Sequence, residues 1–317
     1  MSDKTLAELR DQVVQATGEV VWRQWKALGA GAAAKQEATS IVDPEALVYM
    51  SLSLLPYELR LADLLADWMA QNSTLLSVQR IKNLARDFPE KVRGRLPQVA
   101  RIASEEAKDA RWGALVEADA PALTERPRKG RAVRRHFTQP SALMLHLRLG
   151  MGVGTKADVL AYLLGTQGAW ASVAVIAAAT GYTPAAVRRT VDDMAAGRFI
   201  RSMESLDPTD PAQTVYLAKP VAWAEVLDSA AQLPPWRSWK ERFAFVADLL
   251  DWEVQTRGRT ISPYALGARG RELMKRHWAA FRRDQAVELP PQARAEVGPE
   301  DFITATERLA EWMVANA

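Results

Sequence analysis

The sequence predicts a mainly α-helical protein with one short antiparallel hairpin near residue 200, and three observations carry that expectation. Apolar residues recur at helical spacing over most of the chain, as Leu6, Leu9, Val13, Val14, Val21, Trp22 and Trp25 do at its start. Helix-start residues, among them Asp43-Pro44, Ser172, Thr183-Pro184 and Gly298-Pro299, divide these runs. Strand-like runs bounded by turn residues are confined to 198–203 and 214–218.

Taken in order, residues 5–28 read as an amphipathic helix, with Trp22 and Trp25 placed for a core or a dimer seam. Residues 29–40, rich in Gly and Ala, read as a loose connection. Asp43-Pro44-Glu45 opens a second helix that Pro56 ends. A third spans 59–69 around Leu61, Leu64, Leu65 and Trp68, and Ser77 caps a fourth through Val78, Ile81 and Leu84. The stretch 59–87 admits two readings: a packed helical pair, or a second helix-turn-helix with Arg80, Lys82 and Arg86 exposed. It has no glycine turn, which favours the first.

Glu105 and Glu106 are adjacent and point to different sides of any helix, so they make a poor acid/base pair. Residues 121–139 read as a linker in which Arg126, Arg128, Lys129, Arg131, Arg134 and Arg135 crowd together. Such a run either binds phosphate through counterion release or stays extended by its own repulsion. Leu143, Leu145, Leu147 and Leu149 alternate like a strand, yet suit a helix packed under the next domain equally well. The glycines of 150–154 do not make a phosphate loop, because Thr155 precedes Lys156 where the motif needs Lys before Ser or Thr.

Residues 155–219 carry the most specific pattern. Thr155 is placed to cap a helix containing Val159, Leu160, Leu163 and Leu164, and Gly168 to Ala171 form a short extended crossing. Ser172 caps the next helix, and the Ala177-x-x-x-Gly181 spacing gives the small residue and the positive-φ turn that two crossing helices need. Thr183-Pro184 opens a third helix whose Val187, Val191 and Met194 form one buried stripe. At about 100° per residue, Arg189 points away from that stripe with Ala185 and Ala196, and Arg188 lies on the flank. Small residues beside Arg suit a helix in a major groove, where Arg bonds both acceptors of guanine. The competing reading pairs Arg188 with Asp192, or Arg189 with Asp192 or Asp193, on a solvated face. Gly197 ends the helix, and the two strand-like runs follow around a turn at 207–211.

Three helices followed by a hairpin are the pattern of a winged helix-turn-helix, flanked here by N- and C-terminal helical regions. The segment resembles the winged-helix domains of bacterial transcriptional regulators of the MarR and ArsR type. The resemblance implies DNA binding, although the wing carries Asp207 and Asp210 where those wings often have a basic tip.

Beyond this segment, 221–227 reads as a short helix, and the run from Trp236 through Phe243, Phe245 and Leu249 to Trp252 as a strongly apolar one. Between 257 and 283 eight basic residues, Arg271, Lys275 and Arg276 among them, face the single Glu272 and make a second candidate phosphate surface. A last helix starts at Gly298-Pro299 and turns Phe302, Ile303, Leu309 and Trp312 to one side. The expected organisation is a helical domain over 1–120, a basic linker over 121–140, the winged unit over 141–233 and a helical domain over 234–317.

With 317 residues the chain has room for two or three domains, and its net charge of +3 makes any basic surface a local matter. The absence of cysteine excludes disulfides, thiolate catalysis and cysteine-based zinc sites. His136, His146 and His277 are too scattered to share a helical face as ligands, and no Gly-x-Ser-x-Gly elbow occurs. The sequence therefore predicts no enzyme, no metal and no cofactor. It shows neither an apolar signal core nor a membrane-length apolar run, so a soluble cytoplasmic protein is expected.

These features predict a homodimeric, sequence-specific regulator, acting as a repressor, that binds double-stranded DNA through Thr183, Ala185, Arg188 and Arg189. The linker cations Arg128, Lys129, Arg131, Arg134 and Arg135, with Arg271, Lys275 and Arg276, would hold phosphate. The alternative is an antitoxin-like or assembly module that uses the same fold to bind a partner protein.

Overall fold

Two apolar cores meeting along a seam organise the chain. In the computed structural model, residues 6–31, 34–124, 137, 139–205, 213–227, 233–259, 261–287 and 298–317 are described. The architecture is mainly helical with one small antiparallel sheet.

The N-terminal helices are α1 (Leu6–Ala27), α2 (Pro44–Leu54), α3 (Arg60–Asn72), α4 (Val78–Leu84), α5 (Glu90–Arg93) and α6 (Leu96–Arg101). Next come α7 (Leu143–Met151), α8 (Thr155–Gly165), α9 (Val173–Thr180), α10 (Pro184–Ala196) and α11 (Pro220–Val226). The chain closes with α12 (Trp239–Thr256), α13 (Pro263–Arg276), α14 (Trp278–Arg282) and α15 (Pro299–Asn316). Three strands, β1 (Ala171–Ser172), β2 (Arg201–Glu204) and β3 (Thr214–Leu217), form an antiparallel sheet in the order β1-β3-β2. Tyr216 on β3 sits opposite Ala171 on one side and Ser202 on the other.

The first core joins α1 to α6 with α12 to α15. Helix α1 lies along α15 and α2 along α12, so the helical regions expected to stand apart before and after the central unit bury a common apolar surface. Trp25 is part of this core, with its Nε1 donating to Ser51 Oγ at 2.8 Å, while Trp22 is only half-buried under the Arg60 guanidinium. The second core is built by α7 to α11 and the sheet. Ile41 and Trp236 reach into it from the larger body.

Backbone hydrogen bonds tie the two bodies together. Ile41 N donates to Pro235 O at 2.9 Å, Val42 N to Ser141 O at 2.9 Å and Trp236 N to Gly165 O at 2.8 Å.

One open alternative is resolved and one local expectation changes. The alternating leucines of 143–149 form α7, in which Leu143, Leu145 and Leu147 are buried and Leu149 is exposed, because the neighbouring helix offers a helical groove and not a strand edge. Thr155 occupies the first turn of α8, and the cap position belongs to Gly154, whose φ of 158° suits extended glycine. By contrast, Asp43, Ser77, Ser172 and Thr183 all accept a backbone N–H as helix caps.

Gly165 marks how closely the bodies approach. A Cβ there would stand 2.6 Å from Ile41 Cδ1 and 2.6 Å from Trp236 N. Gly165→Ala is therefore expected to destabilise the protein by about 1–3 kcal/mol through overpacking, measured as a lower urea midpoint. An unchanged midpoint would mean that the seam is loosely packed.

Candidate nucleic-acid interface

The surface around α10 is assembled by local signals. Ser172 Oγ accepts from Val175 N to start α9, and Gly181 takes a φ of 77° to turn the chain. Thr183 Oγ1 accepts from Ala186 N, with Pro184 at the first helical position. Val187, Thr190, Val191 and Met194 are buried, which leaves Thr183, Ala185, Arg188, Arg189 and Ala196 in solvent.

The competing ion-pair reading of this face does not hold. Asp192 accepts from Tyr216 Oη at 2.6 Å, and Asp193 pairs with Lys156 at 3.5 Å. Burial and then the Asp192 contact push the Tyr216 hydroxyl up to about 12, so it remains a donor across the neutral range. Arg188 and Arg189 form no ion pair among the described residues, although Asp192 and Asp193 lie within a turn. Lys156, Arg198, Arg201 and Lys219 are also exposed on this unit, against Asp192, Asp193, Glu204 and Glu225. Of these cations the sequence reading had placed Arg198 and Arg201 only as strand residues. Their surface role becomes visible once β2 pairs with β3 and turns its outer edge to solvent.

The other expected contacts do not converge here. Arg128, Lys129, Arg131, Arg134 and Arg135 lie outside the described residues, as do His136 and the wing turn with Asp207 and Asp210. Arg271, Lys275 and Arg276 sit on α13, which packs with α12, α14 and α15 in the larger core. Lys275 is exposed and Arg271 is half-buried. Arg276 pairs at 3.0 Å with Asp248, which also contacts His277 Nε2 at 2.6 Å. Basic spacing in the sequence could not reveal these acid partners.

Behind α10 lies a fully buried ionic cluster that sequence reasoning missed. Arg80 Nη1 reaches Glu45 Oε2 at 2.6 Å and also binds Asp43. Arg148 Nη1 reaches Glu45 Oε1 at 2.7 Å, and its Nε reaches Asp158 Oδ1 at 2.7 Å. Tyr182 Oη completes the set by donating to Asp158 Oδ2 at 2.8 Å. The cluster also grips the backbone of the turn before α10, with Arg80 Nε donating to Thr180 O at 2.6 Å and Asn83 Nδ2 to Gly181 O at 3.0 Å.

This is a correction for Arg80, which the helix-turn-helix reading of 59–87 would expose. Its side chain is 0% exposed because α4 docks that face onto the α9–α10 turn. With its face occupied, α4 is not a free recognition helix, while Lys82 and Arg86 remain exposed beside the turn. No local signal could have found the cluster, since Glu45 and Arg148 are 103 positions apart.

Comparison with protein-family models, curated proteins and solved structures finds no match to this chain. Among the described residues, no group of three or more His, Asp or Glu is placed to hold a metal, and no helix is long and apolar enough to cross a membrane.

Burial alone would raise the Glu45 carboxyl, but Arg148 and Arg80 outweigh it and hold Glu45 at about 2, below its ordinary 4.5. A depressed carboxyl stabilises the fold fully above its unfolded value and loses that contribution as pH falls toward 2. Glu45→Gln is expected to flatten the acid limb of the urea midpoint between about pH 5 and pH 2. Arg148→Met, which strands Glu45 and Asp158, should cost about 3–5 kcal/mol at pH 7. A loss below about 1 kcal/mol would show that water reaches the cluster.

Proposed function

We propose that residues 155–219 form a winged helix-turn-helix and that the protein is a sequence-specific regulator of transcription acting on double-stranded DNA. The observation that carries the reading is the outward face of α10, where Arg188 and Arg189 stand without acid partners among the described residues, beside Ala185, Ala196 and Thr183. In this reading Arg189 reads a guanine edge in the major groove, with Arg188 and Thr183 in support. Lys156, Arg198, Arg201 and Lys219 add positive charge around that face and contact phosphate. Arg271, Lys275 and Arg276 lie on the larger body and take no part in base readout. A repressor working as a homodimer on paired half-sites is the simplest form of such a regulator.

One observation favours a protein partner instead. Phe199, Val221 and Val226 are 53%, 79% and 73% exposed around the Phe199–Trp223 ring stack, an apolar edge that DNA has no use for. An antitoxin-like or assembly module would cover that edge with its partner.

The test is fluorescence anisotropy of the full chain on its own upstream DNA and on unrelated duplexes across a salt series. Arg189→Ala is expected to weaken the preferred site by about 1–3 kcal/mol and leave unrelated duplexes unchanged. Equal loss on every duplex would make Arg189 a phosphate contact, and no binding even at low salt would overturn the regulator reading.

A further inference from the structure

The regulator reading leaves α4 unused, although its free side stands next to the start of α10. Three contacts lock the helix there. Arg80 Nε donates to Thr180 O at 2.6 Å, Asn83 Nδ2 donates to Gly181 O at 3.0 Å, and Tyr182 Oη reaches Ser77 Oγ, the cap of α4, at 3.3 Å. Leu84 closes the approach, since a Cβ on Gly181 would stand 3.1 Å from its Cδ2. Only Tyr182 and the cap Thr183 separate Gly181 from the first turn of α10, so α4 keeps a fixed offset from that turn.

The side of α4 turned to solvent is cationic. At about 100° per residue, Gln79, Lys82, Asn83 and Arg86 fall within about 100° of one another, and Ala85 keeps helical backbone, so Arg86 continues the same face. Asn83 forms the edge of that face against the turn, and Gln79 Nε2 steadies it by donating to Asn83 Oδ1 at 2.9 Å. Lys82 is exposed and forms no ion pair among the described residues. The Arg86 side chain is 82% exposed, and its contact with the neighbouring Asp87 is 3.9 Å long. An exposed pair of that length neutralises little. Past Arg86 the balance changes. Lys240 and Arg276 lie around the adjoining cleft of about 180 Å³, but Glu241 and Asp248 already hold them.

We infer that Lys82 and Arg86 grip the phosphate backbone of the DNA duplex, on the strand that passes the start of α10. This rests on the reading of α10 as the helix that enters the major groove. A helix so placed meets base edges with its first turns, while an element packed beside it crosses the sugar-phosphate strand. Side chains four apart on a helix stand about 5–6 Å apart at Cβ, and phosphates of one strand recur about every 3.4 Å along the duplex axis. Two long cations at that spacing reach neighbouring phosphates. Such contacts carry no sequence preference, and their effect is to fix the register in which Arg189 meets its base. Because α4 belongs to the larger body, that body becomes part of the DNA-binding surface.

The test is fluorescence anisotropy of the full chain on its own upstream DNA and on unrelated duplexes across a salt series. The double variant Lys82→Gln with Arg86→Gln is compared with Arg189→Ala and with Arg259→Gln plus Arg308→Gln, which removes two exposed cations from other elements. The α4 variant is expected to bind every duplex about 10-fold or more weakly at about 0.1 M salt and to lower the slope of log affinity against log salt by about 2. Its ratio between preferred and unrelated DNA should be unchanged. Both side chains are solvated, so its thermal midpoint should stay within about 2 °C. Unchanged affinity and slope, with a preference that Arg189→Ala still abolishes, would overturn the inference and leave the regulator reading standing. An equal fall in the Arg259 and Arg308 variant would reduce the effect to net charge and overturn it as well. A chain that binds no duplex even at low salt would overturn both.

Discussion

The buried cluster of Asp43, Glu45, Arg80, Arg148 and Asp158 is the constraint on which the rest of the arrangement depends. It brings three carboxylates and two guanidiniums out of water, and each side chain is at most 2% exposed. Such a set is tolerable because every guanidinium is shared between carboxylates, and Tyr182 Oη and Ser77 N donate a further hydrogen bond to Asp158 Oδ2 and Glu45 Oε1, which Arg148 also holds. Its contribution is to specificity more than to net stability. Apolar docking of the two bodies alone would permit many small slides, whereas this geometry is satisfied in one register. Because Arg80 and Asn83 hold the carbonyls of Thr180 and Gly181, that register also fixes where α10 starts and which face it shows.

What was legible in the sequence follows from the range of the interaction. Caps and turns act over three or four residues, so Asp43, Ser172, Gly181 and Thr183-Pro184 announced their helices correctly. The outward placement of Arg188 and Arg189 followed from helical periodicity, and that alone put them in solvent. Thr155 failed as a cap because Gly154 offered the extended backbone the position needs. The alternation of Leu143 to Leu149 was ambiguous in itself, since a short apolar run has no period until its neighbours are known.

Long-range facts were beyond such reasoning. Nothing near Arg80 distinguishes it from Lys82 or Arg86, yet one is sealed in the core and the others are exposed. The difference is made by Asp43 and Glu45, more than thirty positions earlier, and by a turn about a hundred positions later. The common core of α1, α2, α12 and α15 was hidden for the same reason. Each helix shows an apolar side, but no sequence feature says that the first pairs with the last. Basic runs hide their partners in the same way: Arg276 counts toward a phosphate surface in the sequence, and Asp248 stands beside it in the fold.

The two ends of the seam differ in a way that bears on how the bodies could move. Around Glu45 the charges are closed over, anion-rich and locked to backbone carbonyls. At residues 235–236 the bodies are held by uncharged ties, with Ile41 N donating to Pro235 O and Trp236 N to Gly165 O beside a cavity. Separating the bodies at the first end would strand buried charge, whereas separating them at the second would break two backbone hydrogen bonds and open the packing of Gly165 against Trp236. Stranding a buried charge costs more than breaking a backbone hydrogen bond, so the Glu45 cluster is the firmer of the two ties.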